Sequence, residues 1–235
     1  MTGIHRSIVI LTGAGISAES GLATFRGAGG LWMGHRVEDV ATPEAFARQP
    51  EMVHAFYNAR RRQLADSAIA PNAAHEALVR LEDGWAGDFL LVTQNVDDLH
   101  ERAGSKRIVH MHGELRRARC TTCDRGFAWL DDLGTDTACP HCARTGSLRP
   151  DIVWFGEMPM DLERIHRALQ GCDLFISIGT SGLVYPAAGF VEAAPAARTV
   201  EINLEPTSRR SMFDEHRTGP AGTLVPALVH ELLQA

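Results

Sequence analysis

Short apolar runs, separated by segments with a helical pattern, constrain the fold of this chain more than any other feature. Most of these runs are apolar throughout instead of alternating, which is typical of strands buried on both faces of a parallel sheet. We predict strands over residues 7–12, 88–93, 107–111, 173–178 and 198–204. The spacing of apolar residues between them predicts helices over residues 43–64, 71–81 and 161–170. This alternation favours an α/β fold with a doubly wound parallel sheet.

Length and composition narrow the class of protein. The chain has 235 residues, of which 45% are hydrophobic, and a formal net charge of −6. This length suits one compact domain with a small inserted module, and the apolar content excludes a mainly disordered chain. An acidic chain is not expected to bind nucleic acids in general, because it would have to concentrate its basic residues locally. No apolar run reaches the roughly 18 residues that span a bilayer, and no signal peptide is recognisable, so we expect a cytoplasmic protein without a membrane partner.

Four of the five cysteines form two C-x-x-C pairs within residues 116–146. This segment interrupts the alternation and has little apolar periodicity, so a metal would supply the stability that it lacks. Four thiolates at this spacing predict one structural Zn²⁺ with a closed tetrahedral shell. The predicted ligands are Cys120, Cys123, Cys139 and Cys142. The alternative is a redox dithiol, which would need only one of the two pairs.

A glycine-rich turn follows the first predicted strand. Its sequence, Gly13-Ala14-Gly15-Ile16-Ser17-Ala18, fits the G-x-G-x-x-G/A pattern of dinucleotide-binding turns, in which glycines allow a tight turn and close approach to a pyrophosphate. The acidic residue expected some 20 positions later is missing, and a second glycine-rich run with Phe25 and Arg26 stands in its place. That run suggests a lid over a cofactor. A turn that binds no ligand is the alternative.

Polar residues also follow the other predicted strands. Gln94, Asn95 and Asp97 follow the second strand, where the alternative is a turn that caps the next helix. His112 follows the third and could act as a base near neutral pH, although any one of eleven histidines is more often structural. The last two strands are followed by Gly179-Thr180-Ser181 and Asn203-Leu204-Glu205. Since carboxyl ends of parallel strands meet at one edge, we expect these segments to form one ligand-binding edge.

Taken in order, these motifs resemble the sirtuin family over nearly the whole chain. The resemblance rests on the glycine turn with Phe25-Arg26-Gly27, on Thr93 to Asp97, on His112-Gly113, on the four cysteines, on Arg149-Pro150 with Val153-Trp154-Phe155-Gly156-Glu157, and on Gly179 to Ser181. It implies a Rossmann-like NAD-binding domain and an NAD-dependent protein lysine deacylase. In that reaction the acyl oxygen attacks the nicotinamide ribose, nicotinamide leaves, and O-acyl-ADP-ribose and free lysine are formed.

The resemblance also implies roles for individual residues. His112 would be the base that takes a proton from the ribose hydroxyls, Asp97 would hold the nicotinamide carboxamide, and Asn95 would hold the ribose and its water. The remaining cofactor-binding residues would be Gly13, Ala14, Gly15, Ser17, Ala18, Glu19, Thr24, Phe25, Arg26, Trp32, Gln94, Val96, Gly179, Thr180, Ser181, Asn203, Leu204, Glu205 and Ala221.

Tyr57 and Arg60 lie three positions apart and therefore on one face of a predicted helix. A solvated basic face is the alternative, because two further arginines follow Arg60. Within the sirtuin family such a pair is similar to that of class III enzymes, where it binds the distal carboxylate of succinyl- or malonyl-lysine, and Ala41 matches the small residue that widens the acyl pocket. Residues 153–157 have strand character and by resemblance pair with the substrate backbone; the residues implied are Val153, Phe155, Gly156 and Glu157.

The predicted organisation is a Rossmann-like domain (residues 1–34, 70–115 and 147–235), a helical insertion with the acyl pocket (residues 35–69) and a zinc-binding module (residues 116–146). We expect a monomer that acts on acetyl-, succinyl- and malonyl-lysine in proteins, with NAD as co-substrate. The bacterial class III enzymes that remove both acetyl and succinyl groups are the most similar. Two alternatives remain: an NAD-dependent mono-ADP-ribosyltransferase, and a zinc-ribbon interaction module that senses NAD without catalysis.

Overall fold

A computed structural model of the protein describes residues 7–23, 31–32, 34–208 and 210–234, and for residues 31, 32 and 210 it describes the backbone alone. Three predicted cofactor residues, Thr24, Phe25 and Arg26, lie outside the described residues, as does the side chain of Trp32. Among the described residues, no helix has both the length and the apolar character needed to cross a membrane.

A six-stranded parallel sheet forms the centre of the fold and confirms the predicted fold class. Its order is β11-β10-β9-β1-β4-β5. The strands are β1 (Ser7–Thr12), β4 (Asp88–Thr93), β5 (Ile108–His110), β9 (Leu174–Ile178), β10 (Arg198–Asn203) and β11 (Glu215–Thr218). The first five correspond to the predicted strands. The sixth was not predicted, because this strand at the sheet edge is polar along its whole length.

Helices cover both faces of the sheet. Successive residues of β1 enter opposite cores. Ile8 and Ile10 pack beneath α5 (Ala73–Gly84) and α8 (Ala221–Leu233), whereas Val9 and Leu11 pack beneath α7 (Leu162–Gly171). This double burial is the reason for the continuous apolar runs. The helices are α1 (Ala14–Ser17), α2 (Val37–Val40), α3 (Pro43–Arg48), α4 (Pro50–Leu64), α5 (Ala73–Gly84), α6 (Leu99–Ala103), α7 (Leu162–Gly171) and α8 (Ala221–Leu233), with short 3₁₀ turns at Ala18–Ser20, Ala187–Gly189 and Arg210–Met212.

The single helix predicted over residues 43–64 is wrong, because the structure divides it into α3 and α4. Gln49, which joins them, leaves the helical region with φ −144° and ψ 65°. The ring of Pro50 disfavours helical geometry in the residue before it, and proline suits the first turn of the new helix. The start of α3 is as predicted, since Ala45 N donates to the Thr42 hydroxyl at 3.1 Å.

Two small antiparallel sheets complete the fold. One pairs β2 (Leu31–Trp32) with β3 (His35–Arg36), and the other has the order β7-β6-β8. Its strands are β6 (Gly113–Cys120), β7 (Gly126–Ala128) and β8 (Leu148–Ile152). This sheet extends beyond both predicted limits of the 116–146 module. The strand character predicted for residues 153–157 is wrong, because β8 ends at Ile152 and the chain then turns.

Candidate functional site

Four polar segments meet at the carboxyl edge of the central sheet. Backbone hydrogen bonds join neighbouring strand ends: Gly13 N to Ile178 O, Gln94 N to Thr12 O, and Gly179 N to Ile202 O, all at 2.9–3.0 Å. The segments that follow β1, β4, β9 and β10 therefore adjoin, as their sequences suggested. In open α/β sheets this edge is where ligands bind.

The glycines of the first turn allow two loops to touch. A Cβ atom at Gly15 would lie 2.6 Å from the Cα of Gly179, and one at Gly13 would lie 2.8 Å from the Gly179 carbonyl oxygen. Gly15 N also donates to this oxygen at 2.9 Å. The sequence suggested that these glycines make room for a pyrophosphate, whereas the structure shows that their Cβ side faces a neighbouring loop. The adjacent Ala14 is partly exposed and Ala18 is exposed.

Asn95, Ser17 and Asp97 form a buried hydrogen-bonded cluster under this edge. Asn95 Nδ2 donates to Ser17 Oγ and to Gly13 O, each at 3.1 Å, and Ser17 Oγ donates to Asp97 Oδ2 at 3.1 Å. Leu99 N donates to the other Asp97 oxygen at 3.2 Å. Burial raises the pKa of Asp97, and the bonds from Leu99 and Ser17 oppose that rise. The intervening Val96 is held through its carbonyl, which accepts from Leu115 N at 2.8 Å.

His112 lies beside this cluster in a defined tautomer. Its Nδ1 is 3.1 Å from the carbonyl oxygen of Gln94, which can only accept, so Nδ1 carries the hydrogen. In the neutral ring, Nε2 then holds the free lone pair. Burial lowers the pKa of His112, and the bond to Gln94 only partly opposes this shift. The side chain is therefore a neutral base at pH 7.

His110 contacts the loop that contains Asn95, and the sequence analysis did not predict this contact. Its Nδ1 lies 3.4 Å from Asn95 O, and its Nε2 is hydrogen bonded to the Glu101 carboxylate. Burial opposes the charged imidazole, but the Glu101 carboxylate outweighs it and raises the pKa of His110. His110 and His112 therefore lie two positions apart, and their pKa values shift in opposite directions.

The residues predicted for the adenosine end lie around β9, β10 and α8. Thr180 Oγ1 is 3.0 Å from Ser177 Oγ, and Ser181 Oγ accepts from Leu183 N at 3.3 Å. Asn203 Nδ2 is buried and has no hydrogen-bond partner within the described part of the chain. Leu204 and Glu205 are exposed, and Ala221 is buried at the start of α8.

Glu19, which was predicted to bind the cofactor, accepts a hydrogen bond from another part of the protein. Its Oε1 accepts from Gly222 N at 2.9 Å, in the first turn of α8. A carboxylate there satisfies a backbone N–H that has no partner within the helix. The turn after β1 is thereby tied to a helix some 200 residues away along the chain.

Tyr57, Arg60 and Ala41 lie together next to the turn at residues 153–157. Tyr57 is fully buried, and Ala41 O accepts from Phe155 N at 2.9 Å. Burial lowers the pKa of Arg60 to about 10, while the nearby Tyr57 and Asp97 oppose that change, so its guanidinium remains charged at neutral pH. The alternative of a solvated basic face does not describe Arg60, although it does describe the exposed Arg62.

The turn at residues 153–157 is held by its own side chains and by the strand beside His112. Val153 N donates to His112 O at 2.9 Å. Glu157 accepts from Arg149 at 2.6 and 2.9 Å and from Trp154 N at 2.8 Å. Burial would raise the pKa of Glu157, but these bonds prevail and lower it. The Glu157 carboxylate thus shapes the turn, whereas Phe155 is half exposed and Gly156 has a positive φ of 91°.

The four paired cysteines form a candidate metal centre between β6 and β8. Their Sγ atoms all lie within 4.8 Å of one another, with Cys120 to Cys142 at 3.7 Å and Cys123 to Cys139 at 3.9 Å. Tetrahedral Zn²⁺ with Zn–S bonds of about 2.3 Å needs sulfurs roughly 3.8 Å apart, so the residues fit a structural zinc ion. The fifth cysteine, Cys172, is buried in the core.

Comparisons with known proteins show the family of this chain. The sequence profile of the Sir2 family matches residues 13–186. The chain belongs to the Sir2 family. A Sir2 relative from Bdellovibrio bacteriovorus, named NAD-dependent protein deacylase, is 62% identical over 98% of both chains.

Two solved structures of Sir2 proteins are also similar. A Sir2 homologue in complex with NAD superposes with a TM-score of 0.88 at 40% identity, covering 98% of this chain and 90% of the other. Sir2Af2 bound to a myristoylated histone peptide gives a TM-score of 0.75 at 31% identity, covering 98% and 92%.

Sequence reasoning on this Sir2 chain missed residues whose role depends on their side-chain partners. Trp154 belongs to the motif at residues 153–157, but its indole is hydrogen bonded to Tyr57, which lies 97 positions earlier in the chain. Arg149 and His110 bind Glu157 and Glu101, eight and nine positions away, and neither partner was predicted. A pattern of local spacing carries no signal for such pairs.

Proposed function

We propose that this protein is an NAD-dependent protein lysine deacylase that removes acetyl and succinyl or malonyl groups. The observation that carries the proposal is the neutral His112 with a free Nε2 beside the Asn95–Ser17–Asp97 cluster, at the edge where four strand-end segments meet. An NAD sensor without catalysis would not need a base at this place. The relatives named NAD-dependent protein deacylase and the NAD-bound homologue support the same reaction.

NAD, when bound, supplies an electrophilic ribose carbon that exchanges nicotinamide for the acyl oxygen. The residues that would hold it are those of the first turn, of residues 94–97, and of the segments after β9 and β10, with the unsatisfied Asn203 amide as a fitting donor at the adenosine end. Residues 24–26 and the Trp32 side chain complete the predicted set.

His112 would act as the base of the reaction. Its Nδ1–H is held by Gln94 O, so Nε2 can accept a proton from a ribose hydroxyl, and burial keeps the ring neutral and ready to do so. Asp97 and Asn95 are fixed by their hydrogen bonds and would orient the nicotinamide and ribose without moving.

Tyr57 and Arg60 would bind the distal carboxylate of a succinyl or malonyl group. A guanidinium binds a carboxylate through two parallel hydrogen bonds, and a phenol can donate a third. Ala41 leaves space for the longer acyl chain, and residues 153–157 would present backbone groups to the substrate, so that many protein sequences are accepted. The myristoylated peptide bound by Sir2Af2 supports an acylated peptide as substrate. We also propose a cytoplasmic monomer without general nucleic-acid binding.

Two measurements test this function. Mass spectrometry of the products with an acylated peptide and NAD should detect nicotinamide and O-acyl-ADP-ribose; ADP-ribosylated protein would instead indicate a mono-ADP-ribosyltransferase, and no product would indicate a sensor. Arg60→Met should then lower the ratio of kcat/KM for succinyl over acetyl peptide by about 10-fold to 150-fold, as expected for the loss of a charge-assisted pair.

Arg62→Met is the matched control, because it removes an exposed arginine of the same helix that pairs with Asp132 on the surface. It should leave the ratio as in the wild type. If Arg60→Met behaves like Arg62→Met, the proposed preference for dicarboxylic acyl groups is wrong.

A further inference from the structure

Tyr57 receives a hydrogen bond from Trp154. The indole Nε1 donates to the Tyr57 hydroxyl at 2.9 Å, and both side chains are buried, Tyr57 completely and Trp154 to 2% exposure. The two residues come from α4 and from the turn after β8. The contact therefore joins the predicted acyl pocket to the segment proposed to bind the substrate backbone.

Trp154 is held so that it cannot turn its N–H elsewhere. The Arg149 guanidinium carbon lies 3.5 Å from the centre of the ring, and Phe46 packs against the ring with a centroid distance of 5.3 Å. Arg149 is itself fixed by Glu157 and by Ile152 O, to which its Nη2 donates at 2.7 Å. The indole is thus a rigid donor aimed at one oxygen.

This bond decides in which direction the Tyr57 hydroxyl donates. A phenol has one hydrogen and can accept at its oxygen, whereas an indole N–H and a guanidinium are donors only. With Trp154 donating to the oxygen, the phenolic hydrogen must be directed to an acceptor, and neither Trp154 nor Arg60 can be that acceptor. Burial raises the pKa of Tyr57 to about 12, so the hydrogen is retained at neutral pH.

We infer that Trp154 is a specificity-determining positioning residue that sets Tyr57 as a donor for the acyl carboxylate. The inference rests on the proposed function of Tyr57 and Arg60. With Trp154 donating to its oxygen, Tyr57 offers its hydrogen to a ligand, and that ligand must then provide an acceptor. An acyl group that ends in a carboxylate supplies it, and one that ends in a methyl group does not.

Steady-state kinetics on Trp154→Phe test the inference. Phenylalanine retains an aromatic ring for Arg149 and Phe46 but lacks the N–H. We expect KM for a succinyl peptide to rise about threefold to tenfold relative to KM for the acetyl version, with the kcat ratio of the two peptides changed less than twofold. Trp129→Phe is the matched control, since its indole donates to Asp132 O at 3.4 Å within the zinc-binding segment.

The effect must also depend on the Tyr57 hydroxyl. In a Tyr57→Phe background, Trp154→Phe should cause no further change in the succinyl-to-acetyl ratio, because the atom it acts on is already missing. Equal losses on both peptides, or the same loss with and without the hydroxyl, would overturn the inference and indicate a purely structural residue. If Arg60→Met lowers the ratio and Trp154→Phe does not, the proposed function stands and this inference fails. If Arg60→Met also has no effect, the proposed function itself is at fault.

Discussion

Mutation of Gly15 tests whether its contact with Gly179 holds together the two loops at the carboxyl edge of the central sheet. In Gly15→Ala the new methyl group would lie 2.6 Å from the Cα of Gly179 and 2.8 Å from its carbonyl oxygen. Both atoms belong to the backbone, so neither can rotate away. The two loops would have to separate, which would stretch the 2.9 Å bond from Gly15 N to Gly179 O.

The expected change in the free energy of unfolding of Gly15→Ala combines opposing contributions. Overpacking of this kind costs about 1–3 kcal/mol, and weakening a hydrogen bond adds up to about 1 kcal/mol. Gly15 lies in α1, so alanine suits the backbone and returns up to about 1 kcal/mol of helix propensity. We expect a net loss of about 1–3 kcal/mol in the free energy of unfolding, which lowers Tm by about 2–12 °C in a chain of this size.

Thermal unfolding and NAD titration together give the readout. Gly171→Ala is the control, because Gly171 ends α7 and an added Cβ meets nothing within 4 Å. That variant should have a Tm equal to or above the wild-type value. The Gly15 variant should lose both stability and NAD affinity. If its Tm and its Kd for NAD both equal those of the wild type, the two loops do not depend on this contact.

Two further predictions concern the base and the metal. Because the pKa of His112 is lowered, the acid limb of kcat/KM should lie below about pH 6.5, where the ring becomes charged, and a limb at or above that value would contradict a buried neutral base. His112→Tyr should abolish turnover while NAD binding and zinc content persist. Cys142→Ser should reduce the zinc content from one ion per chain towards none and lower Tm, because it opens the four-sulfur site; one retained zinc ion with an unchanged Tm would refute a structural role.

Features that depend on buried apolar runs could be predicted from the sequence. The strands of the central sheet from β1 to β10 were found because burial on both faces leaves an apolar signature, and the polar edge strand β11 was not. The break before Pro50 could have been found from the restriction that proline places on Gln49. The four cysteines were found because metal ligation imposes a fixed spacing.

Side-chain partners across the fold could not be predicted. Glu157 belongs to a motif that was predicted to bind the substrate, yet its carboxylate binds Arg149. Glu19 belongs to a motif that was predicted to bind the cofactor, yet it binds the start of α8. Gly15 was attributed to the cofactor site, and the atoms nearest to its Cβ position belong to Gly179. The contacts of Glu19 and Gly15 arise because the fold brings distant segments together. Arg149 and Glu157 lie only eight positions apart, but they meet across a turn that was predicted to have strand character.

The place of β1 in the sheet affects how the protein emerges from the ribosome. This apolar strand is central, and its neighbours β4 and β9 follow roughly 80 and 165 residues later, which corresponds to about 4–16 s and 8–33 s of synthesis. A nascent strand of this kind exposes both of its faces during that time and is a natural target for chaperones. The carboxyl edge of the sheet, which needs the ends of β1, β4 and β9 together, can form only once the later strands have been made.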